Sequence, residues 1–260
     1  MSKARDITQK TRDRLYSLSG NQCAFPDCNV KLFDEDGTNI SNICHIEAAS
    51  PGGERYNANS TDNDRRNYEN LILLCSNHHT ETNDVNKYTV EVLKKMKREH
   101  EAKFLKPEIL RKHPSALNIV INYIGNKIIG GPIDEFANAP KIQNKILYNN
   151  IQAYKSIIEE YALYNSNLNK LYKEIEEQGS TKKEIILHNI RELYLKEKAN
   201  KSIEEVKSHA DDIIENIKNN LWRIIESSEN SLELPIEIIE SSLLVILVDA
   251  FIRCKILEKP

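Results

Sequence analysis

The sequence predicts an α+β fold, with a small irregular first domain of short strands and helices followed by an all-α helical bundle. Three observations predict it. Residues before about 105 are rich in Asn, Asp, Gly and Cys and carry only short apolar runs; residues beyond 138 are almost free of glycine and place apolar side chains at helical spacing; and four of the five cysteines fall between Cys23 and Cys75. These changes of texture set the expected boundaries at 1–105 for the first domain, 106–138 for a linker, and 139–260 for the bundle.

At 260 residues and 40% hydrophobic, the chain is long enough for two modest cores. Charge is evenly spread: 16 Lys and Arg face 16 Asp and Glu through Lys106, leaving 20 and 23 of the whole-chain totals of 36 and 39. A polyanion site must then be a local patch, and intrinsic affinity for nucleic acid is expected to be weak. The start, MSKARDITQKTRDRL, has basic residues but no apolar core, so no signal peptide is expected. With an odd number of cysteines, that points to a reducing compartment, the cytoplasm, and to metal binding over disulfides.

The first domain is best justified through its cysteines and histidines. Cys23 and Cys28 enclose AFPD, a short loop in which Pro26 stiffens the turn, so both sulfurs can face one point. Cys75 and His78 lie three apart after the aliphatic run LILL, at a turn or helix start that turns both side chains to one side. Two such pairs about fifty residues apart make a Cys3His set, which suits structural Zn2+. His79 then projects about 100° from His78 on a helix and is left for another task. His45 lies in ICHIEAASPGGERYN, a strand followed by a Pro51-Gly52-Gly53 turn, and Asn70 opens the run that leads into Cys75. Two imidazoles and an amide on helix, strand and loop are ingredients for metal-assisted phosphodiester hydrolysis, with one imidazole taking a proton from water and the other helping to hold a divalent ion.

The stretches CAFPDC, ICHIEAASPGGERYN and ENLILLCSNHH resemble, over about residues 8–104, the HNH endonucleases of the zinc-containing ββα-metal class. The resemblance rests on the NL aliphatic run, the nine-residue step from Asn70 to His79, and two zinc half-sites in family order. It implies that His45 is the general base, Asn70 the central loop-positioning residue, and His79 a ligand of a catalytic divalent ion, Mg2+ or Mn2+/Ni2+. It also implies that Cys23, Cys28, Cys75 and His78 hold the structural zinc; exchange of the His78 and His79 roles is the alternative. One position departs from the pattern, since many members carry Asp before the first histidine and this chain has Cys44. Three readings fit: Cys44 is a buried strand residue and His79, water and phosphate hold the ion; Cys44 shifts the site to softer ions; or the site is degenerate. The first is preferred because the rest of the motif is intact.

Arg55, Arg65 and Arg66 are candidate substrate contacts, with loop ordering as the competing role for Arg55 and solvation for the other two. Thr89 is the expected N-cap of a helix whose apolar stripe is Leu93, Met96, His100 and Phe104, with Lys94, Lys95, Lys97 and Arg98 expected on its solvated face. In the linker, alternation of Ile119, Ile121 and Tyr123 before Gly125-Asn126, with Ile128 and Ile129 after, suggests a small hairpin.

Past residue 138, Ile142, Ile146, Tyr154, Ile158, Tyr161, Leu168, Leu171 and Ile175 recur at multiples of three or four. Thr181 and Glu184 form an expected capping box, and Ile203, Val206, Ala210, Ile213, Ile217, Leu221 and Ile224 continue the stripe. The last segment, SSLLVILVDAFIRCKILEKP, is apolar nearly all round for about half the roughly twenty residues a membrane span needs, so it is expected to be a core helix with Cys254 as a buried small hydrophobe. Its ending, ILVDAFIRCKILEKP, resembles the C-terminal domains of effectors in bacterial ABC-ATPase three-component anti-invader systems. That implies a helical domain coupling an effector to an ABC ATPase or to a second copy of itself, and no membrane.

The expectation from these readings is a metal-dependent HNH endonuclease cutting DNA, with RNA also compatible, in anti-phage or anti-plasmid defence. The alternative is a non-catalytic zinc-stabilised module that binds nucleic acid or protein within a defence assembly.

Overall fold

The N-terminal helix α1 (Gln9–Ser17) begins where the Thr8 hydroxyl accepts the Thr11 backbone N–H, and it turns Leu15 inward. The computed structural model describes residues 3–34, 36–105, 116–125, 141–227 and 234–260. The chain divides into two compact units, Met1–Leu105 and Lys106–Pro260.

In the first unit two isolated bridges, Gln22 to Lys31 and Phe33 to Asn39, fold the cysteine-bearing loop back on itself. Strand β1 (Ser41–His45) then pairs antiparallel with β2 (Leu71–Cys75), with Cys44 opposite Ile72 and His45 opposite Leu71. Every residue of β2 is buried, which is why the run LILL carries no polar alternation. The short helix α2 (Asp62–Arg66) is opened by a capping box between Thr61 and Asp64 and is followed by a 3-10 turn, Tyr68–Asn70. Helix α3 (Ser76–Glu81) starts directly after β2, so β1, β2 and α3 form a ββα unit. Thr89 caps α4 (Val90–Ala102) through the Val92 N–H, and Leu93, Met96 and His100 face inward. Lys97 does not lie on the solvated face: it is buried, 2.5 Å from Glu101 Oε1, and its ammonium sits 3.5 Å from the centre of the Tyr68 ring. Arg14 stacks on the same ring at 3.7 Å, so one aromatic side chain joins α1, the 3-10 turn and α4 through paired cation–π contacts.

The second unit is all helical among its described residues. The expected hairpin is corrected at its first arm, because Ile119, Ile121 and Tyr123 lie in a helix, α5 (Ala116–Gly125); Ile128 and Ile129 lie outside the described residues. Val120, Ile121 and Ile124 are fully buried, a helical face and not an alternating one. Then follow α6 (Ile142–Tyr148), α7 (Lys155–Tyr161), a 3-10 turn at Ala162–Tyr164, α8 (Asn165–Glu177) and α9 (Lys182–Lys198). Helices α10 (Ile203–Ser208), α11 (Ala210–Glu226) and α12 (Ile236–Ile252) complete it. Thr181 is the N-cap residue of α9 but its side chain makes no capping bond; the capping box in this region is Ser202 with Glu205, at the start of α10. The stripe runs through Tyr172 and Ile225 where Leu171 and Ile224 were expected, and Ile203 is exposed.

Helix α12 is the core helix of the bundle. It is buried without interruption from Ile238 to Phe251 and packs against α5, α7, α8 and α11. It holds two buried carboxylates: Glu240 lies 3.6 Å from Lys218 Nζ, and Asp249 accepts from Arg253 Nε on both oxygens at 2.9 Å and from Asn165 at 2.6 Å, as buried polar groups require. Beyond α12 the chain turns back with Cys254 buried at positive φ. The buried Lys145 ammonium donates to the carbonyls of Phe251 and Ile256 at 2.6 and 2.8 Å, while Asn149 exchanges two bonds with the Glu258 backbone. No helix among the described residues is long and apolar enough to cross a membrane.

Candidate metal centre and adjoining cleft

The turn between Cys23 and Cys28 is held in shape before any ion is considered. Cys28 N–H donates to Phe25 O, Ala24 N–H donates to Leu73 O of β2, and Asp27 takes the left-handed conformation that a short polar side chain tolerates. The second pair comes from the end of β2 and the first turn of α3. Cys75 is the residue before that helix, and its backbone N–H donates to Cys23 Sγ at 3.3 Å. His78 Nδ1 lies 3.6 Å from Cys23 Sγ and 3.2 Å from Cys75 Sγ, and the ring is stacked on Phe25 with centroids 3.8 Å apart. On its other side Nε2 is 4.0 Å from the Glu81 carboxylate, beyond hydrogen-bond distance.

Ligand atoms of Cys23, Cys28, Cys75 and His78 all lie within 4.8 Å of one another. Bonds of about 2.3 Å to sulfur and 2.0 Å to nitrogen in a tetrahedron put ligand atoms about 3.5 to 3.8 Å apart. The donor set therefore fits a metal such as zinc. Burial pushes the Cys23 thiol up to about 12; a coordinated cation reverses that balance, because a ligating thiol is deprotonated outright.

An open cleft of about 730 Å³ lies beside this cluster, and Cys44, His45 and His79 all line it, with Arg5, Arg12 and the Pro51–Gly53 turn along its rim. The turn needs its glycines: Gly52 has φ +83°, and a Cβ on Gly53 would stand 2.7 Å from the Ala48 Cβ. His45 ends β1, and its Nε2 is 3.1 Å from the Ala4 carbonyl oxygen. That carbonyl can only accept, so Nε2 carries the proton and Nδ1 keeps a lone pair. Burial lowers the His45 pKa from its ordinary 6.5, which the Ala4 bond opposes in part, so burial favours the neutral ring.

Asn70 does not line the cleft but lies buried beneath it. Its Oδ1 accepts the Glu47 N–H at 2.8 Å and its Nδ2 donates to the Glu47 and Arg65 carbonyls, both at 2.9 Å. One amide thereby ties the residues after His45 to the end of α2. His79 is exposed on α3, and its Nδ1 lies 3.2 Å from Cys44 Sγ. Cys44 is buried, as the preferred reading of the sequence has it, but its sulfur faces His79 and is not enclosed by apolar side chains alone; burial pushes its thiol up to about 12.

The three arginines divide. Arg55 donates to the carbonyls of Ile46, Thr82 and Tyr88 and so clamps the loop after β1 to the segment between α3 and α4. Arg65 is buried against the Tyr56 ring and donates to Asp62, Tyr56 and the Asn57 carbonyl. Both make loop-ordering bonds, and Arg55 also lines the cleft. Arg66 donates to Asn63 at 2.6 Å. Arg5 and Arg12, which sequence reasoning did not single out, line the cleft together with Arg55; nothing local in MSKARDITQKTR distinguishes them from solvated charge.

Fold and site together define a class: a two-unit chain in which a small ββα unit with a Cys3His metal cluster precedes a helical domain built around one buried helix. Residues 115–258 match C-terminal domain 10 of the ABC-three component (ABC-3C) systems. That is more than half of the 260 residues, and the chain belongs to this family. No curated protein and no solved structure matches the chain.

Proposed function

We propose that the chain is a metal-dependent, HNH-type endonuclease effector of an ABC-three component system, acting on DNA in anti-phage or anti-plasmid defence and controlled through its helical domain. The observation that carries the reading is the convergence of His45, Cys44 and His79 on one open cleft.

On this reading the Ala4 carbonyl holds His45 in the tautomer whose Nδ1 takes a proton from the attacking water. Burial, which favours the neutral ring, keeps that lone pair available. Asn70 holds the loop after His45 in register through three hydrogen bonds. His79 would hold a divalent ion, which when bound would supply charge stabilisation for the phosphate and the leaving 3′ oxygen. Arg5 and Arg12 on the rim attract the phosphate backbone. With acidic and basic residues balanced in this half, the affinity they give is small, so delivery by a partner is part of the proposal. The partner is an ABC ATPase held by the helices of the second unit, and zinc at the Cys3His cluster is structural.

The test is cleavage of supercoiled plasmid by the full chain with Mg2+, Mn2+ or Ni2+, alone and with an ABC ATPase of an ABC-three component system added. Nicked and linear products with 5′-phosphate ends are expected. Binding without cutting under every one of these conditions would favour a non-catalytic, zinc-stabilised binding module.

A further inference from the structure

The ββα unit carries a second thiol–imidazole pair outside the Cys3His cluster. Cys44 Sγ and His79 Nδ1 are 3.2 Å apart, the same separation as Cys75 Sγ and His78 Nδ1 within that cluster. A ligand-to-ligand edge between sulfur and nitrogen on one tetrahedral ion is about 3.5 Å. The two residues come from different elements, β1 and α3, and nothing in their spacing of 35 positions would join them. Adjacent histidines on α3 thus serve two sulfur groups: His78 turns to Cys23 and Cys75, and His79 turns to Cys44. The two pairs also differ in surroundings. The first has four protein donors and closes its ion off, whereas the second lines the open cleft one residue from His45.

We propose that Cys44 and His79 are joint ligands of a divalent transition-metal ion in the cleft, and that the thiolate makes this a site for Zn2+, Co2+ or Ni2+ in preference to Mg2+. Two protein donors leave the remaining coordination positions open to water and a phosphate oxygen, whereas a structural zinc site is closed by four protein ligands. Binding releases one proton: the Cys44 S–H bond is replaced by a sulfur–metal bond, and the proton passes to solvent. Thiolate is a soft donor and Mg2+ a hard cation that prefers oxygen, so exchange of carboxylate for thiol at this position alters which ion is held. On this proposal Cys44 is a buried strand residue that also serves as a ligand. The inference deepens the nuclease reading by naming its ion, and rests on that reading for the ion's task.

The experiment uses the full chain carrying one equivalent of zinc, so that the Cys3His cluster is filled, and titrates it with Co2+. The wild type is expected to take up a second equivalent with a near-ultraviolet sulfur-to-cobalt charge-transfer band. Cys44→Ser should lose that band and bind the second equivalent on the order of 100-fold more weakly, the scale of loss known even for outer-shell partners of a metal. Cys44→Asp should bind without the band and shift preference toward Mg2+ and Mn2+. Retention of the first zinc and an unchanged circular dichroism spectrum show that the variants fold. A wild type that takes up no second equivalent, or a Cys44→Ser protein with the band intact, would overturn the proposal. The nuclease reading fails separately: a second ion bound through Cys44 with no cutting in any metal supports the site and removes its hydrolytic task. Equal cutting by wild type and Cys44→Ser with Mg2+ does the reverse.

Discussion

Asn70 shows how much a single side chain can hold together without touching the chemistry. Its three hydrogen bonds satisfy backbone groups of Glu47 and Arg65 in a buried place, and removing it leaves those groups unpaired at a cost of about 1 to 3 kcal/mol in total or more. Asn70→Ala is expected to lower the urea midpoint of the first unit and to slow cleavage through misplacement of His45, whereas Asn70→Asp should keep only the Glu47 N–H bond and fall between. Equal stability of the alanine variant and the wild type would contradict the role. A second buried residue sets a pH dependence. His100 is buried, with Nε2 2.9 Å from the Ser19 carbonyl, and burial lowers its pKa from the ordinary 6.5. Below 6.5 the unfolded chain takes up a proton that the folded chain does not, so the unfolded state binds more protons and stability falls as pH drops through this window. His100→Gln should flatten that fall in urea titrations of the zinc-loaded chain between pH 7 and 5; identical slopes would refute it. These roles differ in how legible they are in sequence. Cys23, Cys28, Cys75 and His78 announce themselves because short spacing forces the members of each pair together. Arg55, Arg65 and Lys97 do not, since their partners are carbonyls and rings that only the folded loops bring near.

At the scale of elements, the ββα unit depends on its crosslink. The strands are five residues each and the sheet has two of them, and an isolated two-stranded sheet is marginal in water. The cation–π contacts on Tyr68 help join the surrounding helices, but each is worth about 1 to 2 kcal/mol at most. A structural zinc contributes on the order of 10 kcal/mol where folding and binding are coupled. Cys28→Ser, or chelation of the wild type, is therefore expected to reduce bound zinc and melt the first unit while leaving the helical second unit folded. Circular dichroism with metal analysis checks this, and unchanged melting at reduced zinc content would contradict it. Element type was legible where apolar spacing is long and regular, as in α12, which is buried all round as its run of aliphatics predicts. It was not legible at Ile119–Tyr123. A short run such as NIVINYI matches both periods, and packing of Val120, Ile121 and Ile124 against α9, α11 and α12 selects the helix. The same applies at Thr181, where a capping box fits the sequence but the side-chain bond is not made, and the box at Ser202 is.

At the scale of the whole molecule, the two units carry different parts of the account. Membership of the C-terminal domain 10 family rests on the second unit, and the chemistry proposed here rests on the first. Balanced charge and a net −3 predict that the chain alone binds DNA weakly, so a partner held by the helical unit would set when and where the cleft meets its substrate. The central claim is that the cleft hydrolyses phosphodiester bonds with His45 as the base, and the most direct test is the plasmid cleavage rate of His45→Ala beside wild type at saturating divalent ion. The account predicts a fall of about 10²- to 10⁴-fold with zinc content and DNA binding unchanged. Cleavage by His45→Ala at the wild-type rate would contradict it.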